Sequence, residues 1–350
     1  NSTLFRADIA YRLYQQLFAP IKAQIDLHDN VGIVACEELA ALPFELLLTQ
    51  PSSHAVYTPT DIPDYADSFL AKQYGISYAP SALFFQKPKR TAPRGNMLIV
   101  ANPTTQTVSS MSNEVTLRLR TGWRFDPLIY AELEGKKIRQ LHRRARMFSR
   151  RNAAEGRIKR HIGRQAIVHF ASHAYVDTSF DAFSGLMLVR DDDQDDGILM
   201  GFEIGELKLN CDLVTLSACE TGRGRVVRGE GVMGLPRQFL AAGAASVIMS
   251  HWKVDDQFTS NFMPRFYQHY FSGESKTQAL HHARTEILAE KQAAAGVYHQ
   301  HPFFWAAFSL YGQPERTDAA ALPPIVWFLT AALVMPAIVY GVIRAIGRRR

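Results

Sequence analysis

One histidine and one cysteine, His173 and Cys219, are the residues of this chain whose positions most directly suggest chemistry. His173 follows the apolar run QAIVHFAS at 165–172, and Cys219 follows CDLVTLSA at 211–218. Short apolar runs rich in β-branched residues predict buried strands. Two parallel strands of one sheet would present both side chains at their carboxyl ends, where open α/β sheets place ligands. An imidazole beside a thiol forms a general base and a nucleophile.

The chemistry of this pair depends on the protonation of the thiol. A free thiol is mostly protonated at neutral pH, and a neighbouring imidazole lowers its pKa or accepts its proton during attack. Small residues flank both positions, which keeps the approach to them open. We expect the backbone N–H groups of Ala174 and Cys219 to form an oxyanion hole, in which each donor contributes on the order of 3 kcal/mol to lowering the barrier.

The remaining cysteines and most histidines have simpler interpretations. Cys36 and Cys211 adjoin apolar sequence, which predicts small buried hydrophobic residues. Three cysteines are too few for a disulfide framework and suit a reducing compartment. We interpret three further histidines as structural: His161, His169 and His251. The chain lacks a CxxC motif, a G-x-S-x-G motif and a complete phosphate-binding loop, so we expect no metal and no cofactor.

The order of predicted elements indicates an α/β fold. The 350 residues are 47% hydrophobic and 21% charged, which is ordinary for a globular protein. Strands are predicted at 31–35, 75–80, 96–103, 165–172, 211–218, 245–254 and 301–312, with helical stretches between them and a hairpin that pairs 186–190 with 198–200. Phe258, Phe262 and Phe266 recur at helical spacing and should face the core. This alternation predicts a mostly parallel sheet with helices on both faces.

Two charged segments allow alternative interpretations. The formal net charge is +6, and much of the positive charge lies at 118–164. Its composition favours a solvated, helix-rich surface segment. The alternative interpretations are contacts with anionic lipid, phosphate or nucleic acid. No nucleic-acid-binding motif accompanies the segment. Five aspartates at 191–196 match a solvated turn better than a Ca²⁺ loop, because Gly is absent at the sixth position and Glu at the twelfth.

The C-terminal segment resembles a membrane anchor. Residues 325–343 carry no charge, and about 20 helical residues span a ~30 Å hydrocarbon core. We predict a linker at 313–323, a transmembrane helix at 324–344 and a basic tail at 345–350. No N-terminal signal peptide is recognisable. The resulting expectation is a single-pass, C-terminally anchored membrane protein whose preceding domain faces the cytoplasm.

Several segments together resemble the CHAT domain, a caspase-like family in the clan that includes separases. They are IVACEELAALPFELL near the start, HFASHA, LSACETG, GEGVMGLPRQFLAAGAASVIMSHWKVDD and HPFFWAAFSLYG. The resemblance covers 1–312 and is weakest in the basic segment 104–163. It implies a caspase-like α/β/α sandwich and a cysteine endopeptidase with a His173–Cys219 dyad, so that no third catalytic residue is required.

The resemblance also implies partners. We expect a specific protein substrate, such as a pore-forming or other effector encoded nearby, an upstream sensor domain or activator, and a role in bacterial defence or regulated cell death. Four carboxylates are candidates for substrate binding: Glu220, Glu230, Asp255 and Asp256. These carboxylates would favour a basic residue in the substrate, whereas Arg223, Arg225 and Arg228 would favour an acidic one. No preferred substrate residue is therefore predicted. The alternatives are a catalytically silent scaffold of the same fold at the membrane and a basic lipid- or nucleic-acid-binding module.

Overall fold

A computed structural model of the chain describes residues 4–35, 37–86, 95–103, 128–177, 180–190, 195–217, 226–227, 231–232, 234–290 and 296–315. Within these ranges lie fifteen strands, β1 to β15, and eleven α-helices, α1 to α11. The helices are α1 Ala7–Leu17, α2 Lys22–Ile25, α3 Leu70–Gln73, α4 Ala82–Gln86, α5 Ala131–Leu141, α6 Glu155–Ile162, α7 Gly201–Glu206, α8 Leu235–Ala242, α9 Asp256–Ser272, α10 Lys276–Ala289 and α11 Pro302–Trp305.

An eight-stranded sheet forms the centre of the fold. Its order is β2-β4-β15-β14-β11-β7-β5-β6. Every neighbouring pair is parallel except β14 and β15. The prediction of a mostly parallel sheet is therefore confirmed. The strands in this order are Asn30–Ile33, Gly75–Tyr78, Phe308–Gly312, Ser246–Ser250, Leu213–Leu216, Ile167–Ala171, Met97–Ala101 and Ala145–Ser149.

Three small antiparallel sheets surround the central one. The strand β1 (Phe5–Arg6) pairs with β3 (Val56–Tyr57). A three-stranded sheet joins β8 (Ala174–Tyr175), β9 (Gly185–Met187) and β10 (Ile198–Met200), which confirms the hairpin expected around 186–200. The short strands β12 (Val226–Val227) and β13 (Gly231–Val232) form the third sheet.

Helices cover both faces of the central sheet because its strands alternate two sets of apolar side chains. Along β5, Met97 and Ile99 belong to a core that includes Ile138 of α5 and Phe262 of α9, both fully buried. The intervening Leu98 and Val100 face a second core formed with helices α6 and α8. Burying each such large side chain is worth about 1.5–3 kcal/mol. The result is the expected α/β/α sandwich, with Phe258, Phe262 and Phe266 buried as predicted.

The structure differs from the sequence expectations in two elements. The segment predicted as one strand at 301–312 contains a short helix, Pro302–Trp305, before the strand Phe308–Gly312. Proline fits the first turn of a helix, which explains this start. In the basic segment, an edge strand, Ala145–Ser149, lies between helices α5 and α6 in the sequence and pairs with β5. The arginines of this segment conceal the apolar pattern that would predict a strand.

Two ion pairs are buried beside the sheet. Arg284 lies with Nη2 2.9 Å from Glu45 Oε1, and both side chains are almost fully buried. The same carboxylate accepts a hydrogen bond from the hydroxyl of Tyr78. Lys276 Nζ lies 2.9 Å from Asp212 Oδ1 and also contacts Ser246 Oγ at 2.7 Å. Because breaking a buried pair leaves an uncompensated charge, both pairs constrain the fold strongly.

No helix within the residues that the structure describes is long and apolar enough to span a bilayer. The predicted transmembrane helix at 324–344 and the basic tail at 345–350 lie outside the described residues, as does all of the linker 313–323 beyond residue 315. These remain predictions.

Candidate functional site

His173 lies directly beyond the carboxyl end of a central strand. The strand β7, Ile167–Ala171, is buried along its whole length. After Ser172 the chain reaches His173, which is partly buried. The backbone carbonyl of His173 accepts a hydrogen bond of 2.8 Å from the N–H of Met187. The small sheet of β8, β9 and β10 therefore holds the backbone on which this imidazole is carried.

The strand that precedes Cys219 is the direct neighbour of β7. In β11, Leu213 pairs with Ile167, and Leu216 pairs with Phe170, in parallel register. The pairing continues beyond the strand, since the Ser217 N–H donates to the Phe170 carbonyl at 2.8 Å. Each residue of β11 stands 46 positions after its partner in β7, and the same interval separates Cys219 from His173 in the sequence. Cys219 itself lies outside the described residues.

Two buried hydroxyls lie at the exits of these strands. Ser172 is 1% exposed and Ser217 is 8% exposed. Among the residues that the structure describes, neither Oγ has a hydrogen-bond partner. Buried polar atoms are nearly always paired, so two unpaired ones at adjacent strand ends are unusual. Both hydroxyls lie at the carboxyl ends of β7 and β11, where the sequence predicts chemistry.

A buried polar network ties the two strands together before they end. His169 of β7 pairs with Thr215 of β11 in the sheet register. The Tyr267 hydroxyl donates to Thr215 Oγ1 at 2.8 Å and lies 3.3 Å from His169 Nδ1. On the other side of the ring, Nε2 lies 2.9 Å from Glu134 Oε1. This geometry agrees with a structural role for His169.

Glu134 is the member of this network that the sequence analysis missed. It is 1% exposed, on the helix Ala131–Leu141. A glutamate on a basic helix carries no local signal of burial. Its contact with His169 depends on how that helix packs on the sheet, and periodicity alone does not reveal this.

The two aspartates proposed to bind substrate are engaged within the chain. Asp255 caps the helix Asp256–Ser272, and its Oδ1 accepts from the Phe258 N–H at 2.6 Å. Asp256 Oδ2 accepts from the Tyr130 N–H at 2.7 Å, and burial raises the pKa of this carboxyl. Their role in substrate binding stays a prediction. Glu220, Glu230 and the three nearby arginines lie outside the described residues.

The structure places the other predicted site residues as follows. Ala174 lies in β8 opposite Leu186, and its oxyanion role stays a prediction. Cys211 is buried, and burial raises the pKa of its thiol to about 12. Its Sγ donates to the carbonyl oxygens of Ala166 and Leu213 at 3.2 and 3.1 Å inside the core, which confirms the structural interpretation of Cys211. Cys36 lies outside the described residues.

Comparison with known families decides the classification. The sequence profile of the CHAT domain matches residues 7–313, most of the chain.

The chain belongs to the CHAT domain family.

Two named proteins and a solved structure extend this comparison. The chain is 23% identical over 346 residues to human tetratricopeptide repeat protein 28, covering 88% of this chain and 13% of that protein. The mouse protein of the same name is 30% identical over 122 residues, covering 35% of this chain and 5% of the other. The CHAT chain thus spans only a small part of the length of these relatives.

A solved structure shares the fold. Separase in the Saccharomyces cerevisiae separase–securin complex superimposes with a TM-score of 0.50 at 14% sequence identity. The match covers 82% of the CHAT chain and 15% of separase. At this identity the likeness concerns the fold, and it agrees with the α/β/α sandwich implied by the resemblance noted in the sequence.

Proposed function

We propose that the chain is a cysteine endopeptidase with His173 as the general base and Cys219 as the nucleophile. The observation that carries this proposal is the parallel register of β7 and β11. Its interval equals the spacing of His173 and Cys219, so continuation of the pairing would bring the imidazole and the thiol to equivalent places at the carboxyl edge of the sheet. Membership of the CHAT domain family supports the same assignment.

The proposed reaction is acyl transfer from a peptide bond. His173 takes the proton of the Cys219 thiol, and the thiolate attacks the substrate carbonyl carbon. The backbone N–H groups of Cys219 and Ala174 stabilise the oxyanion of the tetrahedral intermediate. The intermediate collapses as the C–N bond breaks, and the imidazolium protonates the leaving amine. Water, deprotonated by His173, then hydrolyses the thioester and releases the acid.

Other observations support a wider setting for this activity. The apolar run at 324–344 supports a C-terminal membrane anchor with the catalytic domain in the cytoplasm. The tetratricopeptide repeats named in the human relative support an upstream repeat domain that senses or recruits. The CHAT resemblance supports cleavage of one protein substrate. This substrate could be a pore-forming effector that is encoded nearby and acts in bacterial defence.

Cysteine reactivity tests the dyad without knowledge of the substrate. Limiting iodoacetamide at neutral pH, followed by peptide mass spectrometry, should alkylate Cys219 faster than Cys36 and Cys211. In the His173→Ala variant, alkylation of Cys219 should slow by about 10-fold or more, because the imidazole no longer lowers the thiol pKa. The matched control is His54→Ala, which removes an exposed imidazole and should leave the rate unchanged.

The alternative function is a scaffold that keeps the fold without catalysis. Equal labelling of the cysteines, or preferential labelling of Cys219 that is independent of His173, would contradict the peptidase and favour the scaffold. Once a substrate is found, Cys219→Ala and His173→Ala should each abolish its cleavage while the circular dichroism spectrum stays that of the parent.

A further inference from the structure

Two histidines and a glutamate converge where α9 meets α10. His269 lies on the last turn of α9, Glu274 lies in the turn between the helices, and His282 lies in the second turn of α10. Glu274 Oε1 is 3.0 Å from His269 Nδ1, and Oε2 is 2.7 Å from His282 Nδ1. Each residue offers a ligand atom, and these atoms all lie within 4.8 Å of one another.

We propose that His269, Glu274 and His282 bind a Zn²⁺ ion. Two imidazole nitrogens and one carboxylate oxygen form a donor set that Zn²⁺ prefers, with a fourth position left for water. Donor atoms about 2.0–2.1 Å from a tetrahedral ion lie roughly 3.3 Å from each other. The two imidazole nitrogens lie 3.0 and 2.7 Å from oxygens of the Glu274 carboxylate, and all three ligand atoms lie within 4.8 Å of one another, so side-chain rotations alone would bring them around one ion.

A fourth residue supports the orientation of one ligand. Glu286 Oε1 lies 2.8 Å from His269 Nε2, the ring nitrogen that faces away from Glu274. Metal-bound histidines usually donate their other N–H to a carboxylate, which fixes the ring and increases its basicity. The Glu286 carboxylate also lies 3.9 Å from Arg265 Nη1. We therefore assign Glu286 to the outer partner of His269 and not to the ligands.

The backbone that carries the three ligands is well braced. Gly273, with φ of +111°, ends α9 in the left-handed conformation. Ser275 then caps α10 by accepting a hydrogen bond of 3.1 Å from the Gln278 N–H. The next residue, Lys276, is anchored to Asp212 in the core. Ligands held on a rigid turn lose little freedom on binding a metal ion.

Solvent has access to the cluster. The side chains of His269 and Glu274 are 23% and 26% exposed, and that of His282 is 46% exposed. A hydrated ion can therefore enter without opening the core. No sequence motif holds these ligands, which is why no metal was expected. These ligands come from two helices and the turn between them.

The zinc site and the proposed dyad lie at opposite edges of the sheet. Lys276, two residues after Glu274, contacts Asp212, which directly precedes the amino end of β11. His173 lies beyond the carboxyl end of the neighbouring strand β7. Zinc at the helix turn would clamp the α9–α10 hairpin and stabilise the fold without touching the dyad. An experiment that refutes the zinc site would therefore leave the His173–Cys219 dyad untested, and the reverse also holds.

Zinc titration of the chain without a polyhistidine tag tests the site. A thiolate–imidazole pair also binds Zn²⁺, so calorimetric titrations use the Cys219→Ala background at neutral pH. We expect one Zn²⁺ to bind per chain and to raise the melting temperature. Co²⁺ should give the visible absorption bands of a tetrahedral nitrogen–oxygen site.

Variants of the cluster provide the decisive comparison. His282→Gln keeps a hydrogen-bonding group near Glu274 but should lose this binding and the rise in melting temperature. Glu286→Gln should weaken binding about 10- to 100-fold, as expected for an outer partner. His54→Gln is the matched surface control and should bind as the parent does. Absence of binding in the parent, or undiminished binding in His282→Gln, would overturn the proposal.

Discussion

The buried histidine His301 should make the stability of the fold depend on pH. Its side chain is 2% exposed and lies at the start of the helix Pro302–Trp305. Nδ1 accepts from the Phe303 N–H at 3.2 Å, and Nε2 lies 3.4 Å from the Tyr57 carbonyl oxygen. The neutral tautomer with its proton on Nε2 satisfies both contacts, whereas a proton on Nδ1 would oppose the Phe303 N–H.

Burial lowers the pKa of His301 from 6.5 to about 4. The unfolded chain therefore binds this proton at a higher pH than the folded chain does, and acid favours unfolding. The stabilisation is complete above pH 6.5 and is lost progressively as the pH falls towards 4. Since each unit of pKa is worth about 1.4 kcal/mol, His301 alone removes about 3 kcal/mol between pH 7 and pH 4.

Urea unfolding followed by tryptophan fluorescence measures this loss. Carboxylates also titrate below about pH 5, so the informative quantity is the difference between the parent and His301→Gln at each pH. Glutamine offers an acceptor and a donor but does not titrate. We expect the variant to gain about 3 kcal/mol relative to the parent from pH 7 to pH 4. His54→Gln controls for removing an exposed imidazole. A parent–variant difference that stays constant with pH would refute this reasoning.

Three substitutions test the packing around the sheet. Glu45→Ala leaves the guanidinium of Arg284 buried without its partner, so the free energy of unfolding in urea should fall by about 3–5 kcal/mol. Adding Arg284→Met should restore much of this free energy. No recovery in the double variant would contradict the pairing. Lys276→Ala strands the buried carboxylate of Asp212, and a similar loss should appear in the same assay. Gly312→Ala should lower the melting temperature, because φ is +110° and the new Cβ would lie 2.5 Å from the Ala245 carbonyl oxygen; an unchanged melting temperature would show that the backbone relaxes.

All but one of the eight strands of the central sheet were predictable, because each of these leaves a local signal. β5, β7, β11 and β14 are mostly apolar and buried along their whole length, as expected for parallel strands covered on both faces. The predicted position of His173 just beyond a strand follows from the same signal. The edge strand Ala145–Ser149 was missed because one face of an edge strand meets solvent and tolerates arginine.

The polar clusters were not predictable because their members are distant in sequence. Glu134 approaches His169 only through the packing of a helix on the sheet. Arg284 and Glu45 stand far apart along the chain, although their atoms lie 2.9 Å apart. His269, Glu274 and His282 share no motif, and the turn at Gly273 is what places them on one side of the hairpin. Such contacts depend on tertiary geometry and leave no periodic pattern.

The position of β15 in the sheet determines when the fold can be completed during synthesis. Tyr311 pairs with Tyr78 although 233 positions separate them. The strands β2 and β4 join the rest of the sheet only through β15 within the described residues. A nascent chain must therefore keep these two apolar strands unpaired from the central sheet until the ribosome has released residue 312. Such late, long-range pairing slows folding and exposes strand edges to aggregation. A chaperone that holds the N-terminal strands during translation should consequently raise the soluble yield of this protein more than one that acts after release.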